Sequence, residues 1–406
     1  MIYFVGFYKM TSFFKLPPKD LFFARLYYFT FMGGWGFILP FANIFYISLG
    51  FSGKQIGFIS STSAIVGMIA SPIWVSTVKR HPAAQRILQI AIVLGAIGYY
   101  FIGRQKDFLP IIIVIFLHSL AASGIMPLSD SMAVTVSQES GMGYGSVRVW
   151  ASLGWIVSLL TSGQLVERFG YIAAFIGVAS MWLIASIVVF FIQPRYFTHN
   201  QTQDQPKPSL RVAIRRVFQD RTLLGFAIAL VFIGFLNSGV LQFENVFLAE
   251  LGASKRLISV AGTLSAIVEL PFMIYADRFV HRIGAHRLML IALTMTFFQR
   301  FTVLLLPFIP TIMIVRFIGG VAFSFYTISF VGLISSRTQS SETGTVLALF
   351  TVTIAGLVNI VAAPVGGAIF DTVGARWLYA FSAAGYIIGA TSLWLTRPKT
   401  SASQPA

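Results

Sequence analysis

The 406-residue chain is 56% hydrophobic and only 10% charged, whereas a soluble domain carries about 25% charged residues, so a water-soluble fold is excluded. It holds 29 Lys and Arg against 13 Asp and Glu, a formal net charge of +16, and no cysteine, which excludes disulfide frameworks and thiolate chemistry. Apolar runs of about 20 residues, long enough to cross a hydrocarbon core as a helix, recur throughout, and the short alternating strands of a transmembrane barrel are missing.

In chain order the pattern predicts twelve spanning helices: Leu21–Leu49, Gln55–Val78, Ile87–Ile102, Phe108–Val136, Val147–Leu165, Tyr171–Ile192, Leu223–Leu248, Leu257–Ala276, Arg287–Pro307, Thr311–Ile334, Thr343–Phe370 and Arg376–Leu395. No cleavable signal pattern precedes the first, and either Met1 or Met10 can serve as the start. One long polar stretch, Gln193–Thr222, separates the sixth span from the seventh. It reads as a flexible linker with a surface helix, SLRVAIRRVFQDR, lying at the membrane interface. The expected architecture is an all-α membrane protein: a six-helix bundle over 1–192, a cytoplasmic linker over 193–222 and a second six-helix bundle over 223–406.

The basic residues orient this arrangement. Eighteen of the 29 fall on the side that holds both termini and seven on the other, while Arg25, Arg148, Arg300 and Arg316 lie within spans. Such an excess marks the cytoplasmic side, so a multi-pass protein with both termini in the cytoplasm is expected. The net charge is thus topological; no folded soluble domain presents it to nucleic acid, and no nucleic-acid partner is expected.

An internal repeat points to two related halves. Gly163, Glu167 and Gly170 follow the fifth span at the spacing that Gly367, Asp371 and Gly374 keep after the eleventh, an offset of 204 residues. A second echo joins Ser71-Pro72 and its basic loop to Leu270-Pro271 with Asp277-Arg278. Repeats of this kind build secondary transporters, whose sites lie near the midplane between the halves.

The loop from Ala276 through Asp277 and Arg278 to His286 and Arg287 resembles the acidic-basic signature of the major facilitator superfamily, and Asp277 and Arg278 are its gating pair. The matching loop after the second span, Lys79-Arg80-His81-Pro82, lacks the usual acid. Such a loop can latch helix ends through ion pairs and bias one facing state.

Ionisable groups inside spans are costly and ordinarily line cavities or find partners. Here the acids are Asp130, Glu244 and Glu269, and the bases Arg148 and Arg300. Arg25 and Arg316, nearer span ends, read as anchors. Glu269 falls near the midplane. Glu244 lies toward the outer end of its span, where snorkelling to the interface and a role in the bundle are equally open.

Asp130, Arg148 eighteen residues later and Trp155 seven beyond that resemble lactose permease and its sugar–proton symporter relatives. The run Tyr144-Gly145 to Gly154-Trp155 is still more similar to the phenylpropionate permease branch. The resemblance implies that Asp130, Arg148 and Trp155 bind the solute, with Asp130 and Arg148 within bridging distance; Asn237 on span seven is a further binding candidate. It places Glu269 and Arg300 where the family keeps an acid and an arginine. It further implies a monomer in a bacterial inner membrane, with protons as co-substrate. The departures fall in the coupling half: the family's span-ten residues are replaced by Gly319 and Ala322, its span-seven acids by Asn237 and Val240, and span eleven has no basic residue. Glu269, Arg300 and Glu244 are therefore the candidates for proton coupling, Glu269 either as carrier or in a fixed pair with Arg300.

The remaining motifs carry little chemistry. Gly33–Pro40, Gly319-Gly320 and Gly366-Gly367 read as sites of close approach or kinking. The five histidines lack metal-ligand spacing, His118 reads as a hydrogen-bonded bundle residue, and nothing resembles a phosphate-cradling loop. Neither cofactor nor metal is expected. A secondary transporter of a small organic solute, sugar-like or an aromatic acid, is the leading expectation; a membrane-embedded sensor or enzyme on the same fold is the alternative.

Overall fold

The computed structural model describes residues 18–78, 81–198 and 209–397, and every regular element among them is helical. In chain order these are α1 (Lys19–Ile38), α2 (Ala42–Ser48), α3 (Gly53–Val78), α4 (Ala84–Ile102), α5 (Phe108–Ala122), α6 (Ile125–Glu139), α7 (Gly145–Phe169) and α8 (Ile172–Phe190). Then come α9 (Leu210–Gln219), α10 (Arg221–Glu250), α11 (Lys255–Ile274), α12 (Ala276–Ile283), α13 (Ala285–Leu305), α14 (Ile309–Ser335), α15 (Ser340–Ala348), α16 (Ala355–Val373) and α17 (Ala375–Leu395).

They make twelve candidate spans among the described residues, with α1–α2, α5–α6 and α15–α16 each forming one broken crossing. The first break falls at Leu39-Pro40-Phe41, where proline removes a backbone donor and obstructs the preceding turn. The eleventh crossing loosens instead into a π-helical stretch, Leu349–Ile354, a geometry that locally widens and bends a helix. Lys79 and Arg80 of the degenerate loop, and the polar run 199–208, lie outside the described residues.

Lipid tails are as apolar as leucine, so packing between spans depends on close backbone approach. In the first half α1 lies against α7 and α8, and α4 against α8. A Cβ on Gly154 of α7 would collide with the carbonyl oxygen of Phe29 on α1; alanine there would force these helices apart. Trp182 of α8 is buried beside them and donates its indole N–H to the Phe31 carbonyl at 3.2 Å. In the second half α10 packs on α16 and α17, and α13 on α14 and α17.

Among the described residues two pairs of helices make the main contacts between the halves, α3 with α16 and α7 with α11, and α2 also meets α10 through the Asn43 side chain, which donates to the Gln242 carbonyl at 2.8 Å. The pairs are second span with eleventh and fifth with eighth, so exchanging the halves converts one pair into the other. This is the two-fold pseudo-symmetry of two six-helix bundles. Both junctions tighten at the same end of the molecule, and the repeated acids are the reason. Asp371 accepts hydrogen bonds from the Gly53 and Lys54 amides at the start of α3, at 2.6 and 2.9 Å. Glu167 accepts from the Lys255 amide at the start of α11, at 2.9 Å. Each carboxylate satisfies helix-terminal donors and sits at the positive end of a helix dipole. The repeated glycines serve the same contact: a Cβ on Gly367 would lie 2.8 Å from the Lys54 nitrogen, and one on Gly163 would lie 2.6 Å from the Ser259 hydroxyl.

Candidate functional site

A cavity lies between the halves. One lobe, about 560 Å³, is bounded mainly by α10, α11, α13 and α14 of the second half, with Trp155 of α7 opposite. It merges through Trp155, Glu244 and Arg316 with a lobe of about 880 Å³ that reaches Trp35 and Asn43 of the first half. Asn237, Glu244, Glu269 and Arg300 all line the first lobe, as do Gly319 and Ala322, so α14 places no acid or histidine at those two positions.

Glu244 sits at the centre of the second-half wall. Its carboxylate pairs with Arg300 at 3.2 Å and with Arg316 at 3.0 Å, all three side chains being no more than 20% exposed. Tyr379 of α17 adds a hydroxyl at 3.3 Å, and the Asn245 side-chain oxygen accepts from Arg316 at 2.7 Å. This decides one open alternative and corrects one expectation. Glu244 is enclosed by partners and does not snorkel, and Arg316 is one arm of a buried triad, not an interfacial anchor. The proposed fixed pair also resolves differently: Arg300 bonds Glu244, not Glu269.

Glu269 on α11 keeps a free carboxylate. Among the described residues no hydrogen bond or ion pair reaches it, and the charge that acts on it belongs to Arg148 of α7, across the interface between the halves. Arg148 is exposed, toward the end opposite the carboxylate caps. The offset of seven residues from it to Trp155 makes about two helical turns, so both lie on one face of α7.

Asp130 of α6 is held by two hydroxyls, donated by Tyr28 at 2.6 Å and Tyr144 at 2.7 Å. Among the described residues no ion pair joins it to Arg148, so the expected bridge is replaced by a tyrosine clamp. Tyr144 lies within the field of Arg148, which links the two groups indirectly. Neither Asp130 nor Arg148 borders either lobe of the cavity.

Asn237 is buried, its side-chain oxygen accepts from Ser382 at 2.6 Å, and the residue lines the first lobe. His118 hydrogen-bonds the Gly95 carbonyl at 3.1 Å and stacks on Trp182, with the Tyr99 ring tilted against it. Arg278 and the backbone of Asp277 lie on α12; the Asp277 side chain is outside the described residues. Sequence reasoning missed Tyr28, Arg316, Asn245 and Tyr379. Only Arg316 carried a usable signal: it lies seven residues inside α14, about 10 Å below the helix start at 1.5 Å per residue, too deep for an anchor.

The sequence model of the MFS_1 like family matches residues 22–381. The chain is 29% identical over 271 residues to the maltose permease of Geobacillus stearothermophilus, a match covering 66% of each chain. It is 23% identical over 268 residues to the probable 3-phenylpropionic acid transporter of Escherichia coli K12, covering 65% of this chain and 69% of that one. Among solved structures, that of the nucleoside transporter NupG superposes with a TM-score of 0.76 at 17% identity, over 93% of this chain and 99% of its own; this likeness concerns the fold alone. The family match extends over most of the chain, from the first span into the twelfth, and the helix arrangement agrees with it: the protein belongs to the MFS_1 like family of major facilitator transporters.

Proposed function

We propose that this protein moves a small organic solute carrying an acidic group across the membrane by alternating access, together with a proton. The observation that carries this reading is the second-half wall, where two arginines share one carboxylate. Their surplus positive charge lies at membrane depth, where an unpaired ion is expensive. A solute carboxylate supplies the missing anion, and Trp155 across the cavity offers an aromatic face to a sugar or ring. Relatives that bear the names of a maltose permease and a 3-phenylpropionic acid transporter support a solute of that size. Glu269, uncharged when protonated, is the proposed proton carrier.

Matched probes test the solute class. In thermal unfolding of the purified protein, glucuronate and 3-phenylpropionate are compared with methyl glucoside and 3-phenylpropionamide. A charge-assisted contact contributes about 1.5–3 kcal/mol, so at least one acid binds about tenfold or more tightly than its neutral partner. Arg316→Gln narrows that gap. Equal affinity for acid and neutral partner in both pairs rejects the acidic solute.

We read the basic loops as cytoplasmic, with both termini and the cavity end opposite the carboxylate caps on that side, and take a monomer in a bacterial inner membrane as the working unit. The caps on α3 and α11 then form the outer gate. Each cap is worth roughly 0.3–1 kcal/mol, so Glu167→Gln with Asp371→Asn shifts the two facing states about threefold to thirtyfold toward outward opening. The chain has no cysteine, so Ala42→Cys gives a unique label in the cavity wall. An impermeant maleimide applied from outside should modify it faster in the double variant by that factor. An unchanged rate means that the caps do not hold the gate.

A further inference from the structure

Helix α9 carries a pattern that transport does not use. It ends at Gln219, and the seventh span starts two residues later at Arg221, with Asp220 capping it through the Thr222 and Leu223 amides at 2.9 and 3.0 Å. A helix joined so closely to a span lies at the membrane boundary. At roughly 100° per residue its ten residues divide into three sectors. Ala213, Arg216 and Val217 face the protein: Ala213 and Val217 are buried, and Arg216 donates to the Arg337 carbonyl at 3.0 and 2.7 Å. Leu210, Ile214 and Phe218 form a second stripe, and they are 48, 39 and 71% exposed. Arg211 and Arg215 form the third, both exposed, and among the described residues neither has an ion-pair partner. The exposed Val212 lies between this third stripe and the protein face.

We propose that α9 is a docking strip for anionic phospholipid headgroups of the adjoining leaflet. Leu210, Ile214 and Phe218 enter the acyl boundary while Arg211 and Arg215, one turn apart, meet the lipid phosphates beside them. The protein-facing sector passes this anchorage to the second half, because Arg216 and Asp220 both hold Arg337, the latter pair at 4.0 Å. Arg337 lies between α14 and α15, so bound lipid braces the end of that bundle opposite the carboxylate caps. A basic stripe next to an apolar one, at the edge of the lipid-facing belt, favours a charged leaflet over a protein partner. The inference rests on the membrane fold and not on the identity of the solute.

The test uses the full chain in detergent, titrated with phosphatidylglycerol and, separately, phosphatidylcholine, and read by its thermal unfolding midpoint. Phosphatidylglycerol should raise the midpoint and phosphatidylcholine should not, with the effect falling at high salt. Each arginine near an anionic surface contributes about 1 kcal/mol, a factor of about five, so Arg211→Gln with Arg215→Gln weakens the apparent lipid affinity about thirtyfold. The double lysine variant, which keeps both charges, should respond as the wild type does, and Leu210→Ser with Phe218→Ser should weaken binding without touching a charge. Four results would overturn the proposal: equal shifts with both lipids, an undiminished response in the glutamine variant, an undiminished response in the serine variant, or inorganic phosphate reproducing the phosphatidylglycerol shift. Solute binding is not part of the readout, so failure here leaves the transport reading standing, and the reverse.

Discussion

Replacing Glu269 by glutamine should abolish pH-driven accumulation while leaving exchange of solute across the membrane intact. A solute bearing one carboxylate and carried with one proton moves without net charge. One pH unit then stores about 1.4 kcal/mol per proton, enough to sustain about tenfold accumulation. Glutamine resembles the protonated acid and can neither load nor release a proton, so the accumulation ratio falls to about one. Exchange needs only the loaded carrier to turn over, which a permanently neutral side chain permits. The geometry supports this assignment: Glu269 lines the cavity, its carboxylate is unbonded among the described residues, and Arg148 acts on it from the opposite half. Movement of the halves brings that arginine closer or takes it away, which changes the cost of the carboxylate's charge. Proteoliposomes with a clamped membrane potential make the measurement, and the wild-type ratio should not respond to the potential. Tenfold accumulation by Glu269→Gln would remove Glu269 from the coupling step and leave Asp130 as the other acid outside the arginine triad.

Replacing Glu244 by alanine should be the most damaging single change in the second half. It leaves Arg300 and Arg316 as two buried like charges, a loss of about 3–5 kcal/mol for breaking a buried pair. The unfolding midpoint should fall by about 3–6 °C for a chain of this size, with solute binding lost. The double variant Glu244→Gln with Arg316→Gln restores one guanidinium to the wild-type surplus of one charge. It should recover most of the stability and, with the surplus charge kept, a preference for an acidic solute. An unchanged midpoint in Glu244→Ala would show that the triad does not hold α10, α13 and α14 together.

The positions of the spans were legible because crossing a membrane is a local requirement. About twenty apolar residues satisfy it whatever surrounds them, so the predicted and observed spans agree to within a few residues. The repeat around Glu167 and Asp371 was equally legible. Its purpose was not, because each acid caps a helix in the other half, 88 residues away for Lys255 and 318 for Gly53. Membrane depth also allowed Asp130, Arg148, Glu244, Glu269 and Arg300 to be singled out.

Partner choice was decided only by tertiary structure. Depth along a span follows from counting, but the direction a side chain faces depends on how its helix is rotated against its neighbours. Packing sets that rotation, at contacts such as Gly154 on Phe29. Glu244 and Glu269 both lie at reachable depths for Arg300, and only the rotations of α10 and α11 bring the first to it and leave the second facing Arg148. Asp130 likewise meets Tyr28 from α1 and Tyr144 from the start of α7. Hydropathy marks neither tyrosine, since a span tolerates tyrosine whether or not its hydroxyl has a partner. Composition and periodicity determined which charges enter the membrane; the packing of one helix on another determined which charges meet.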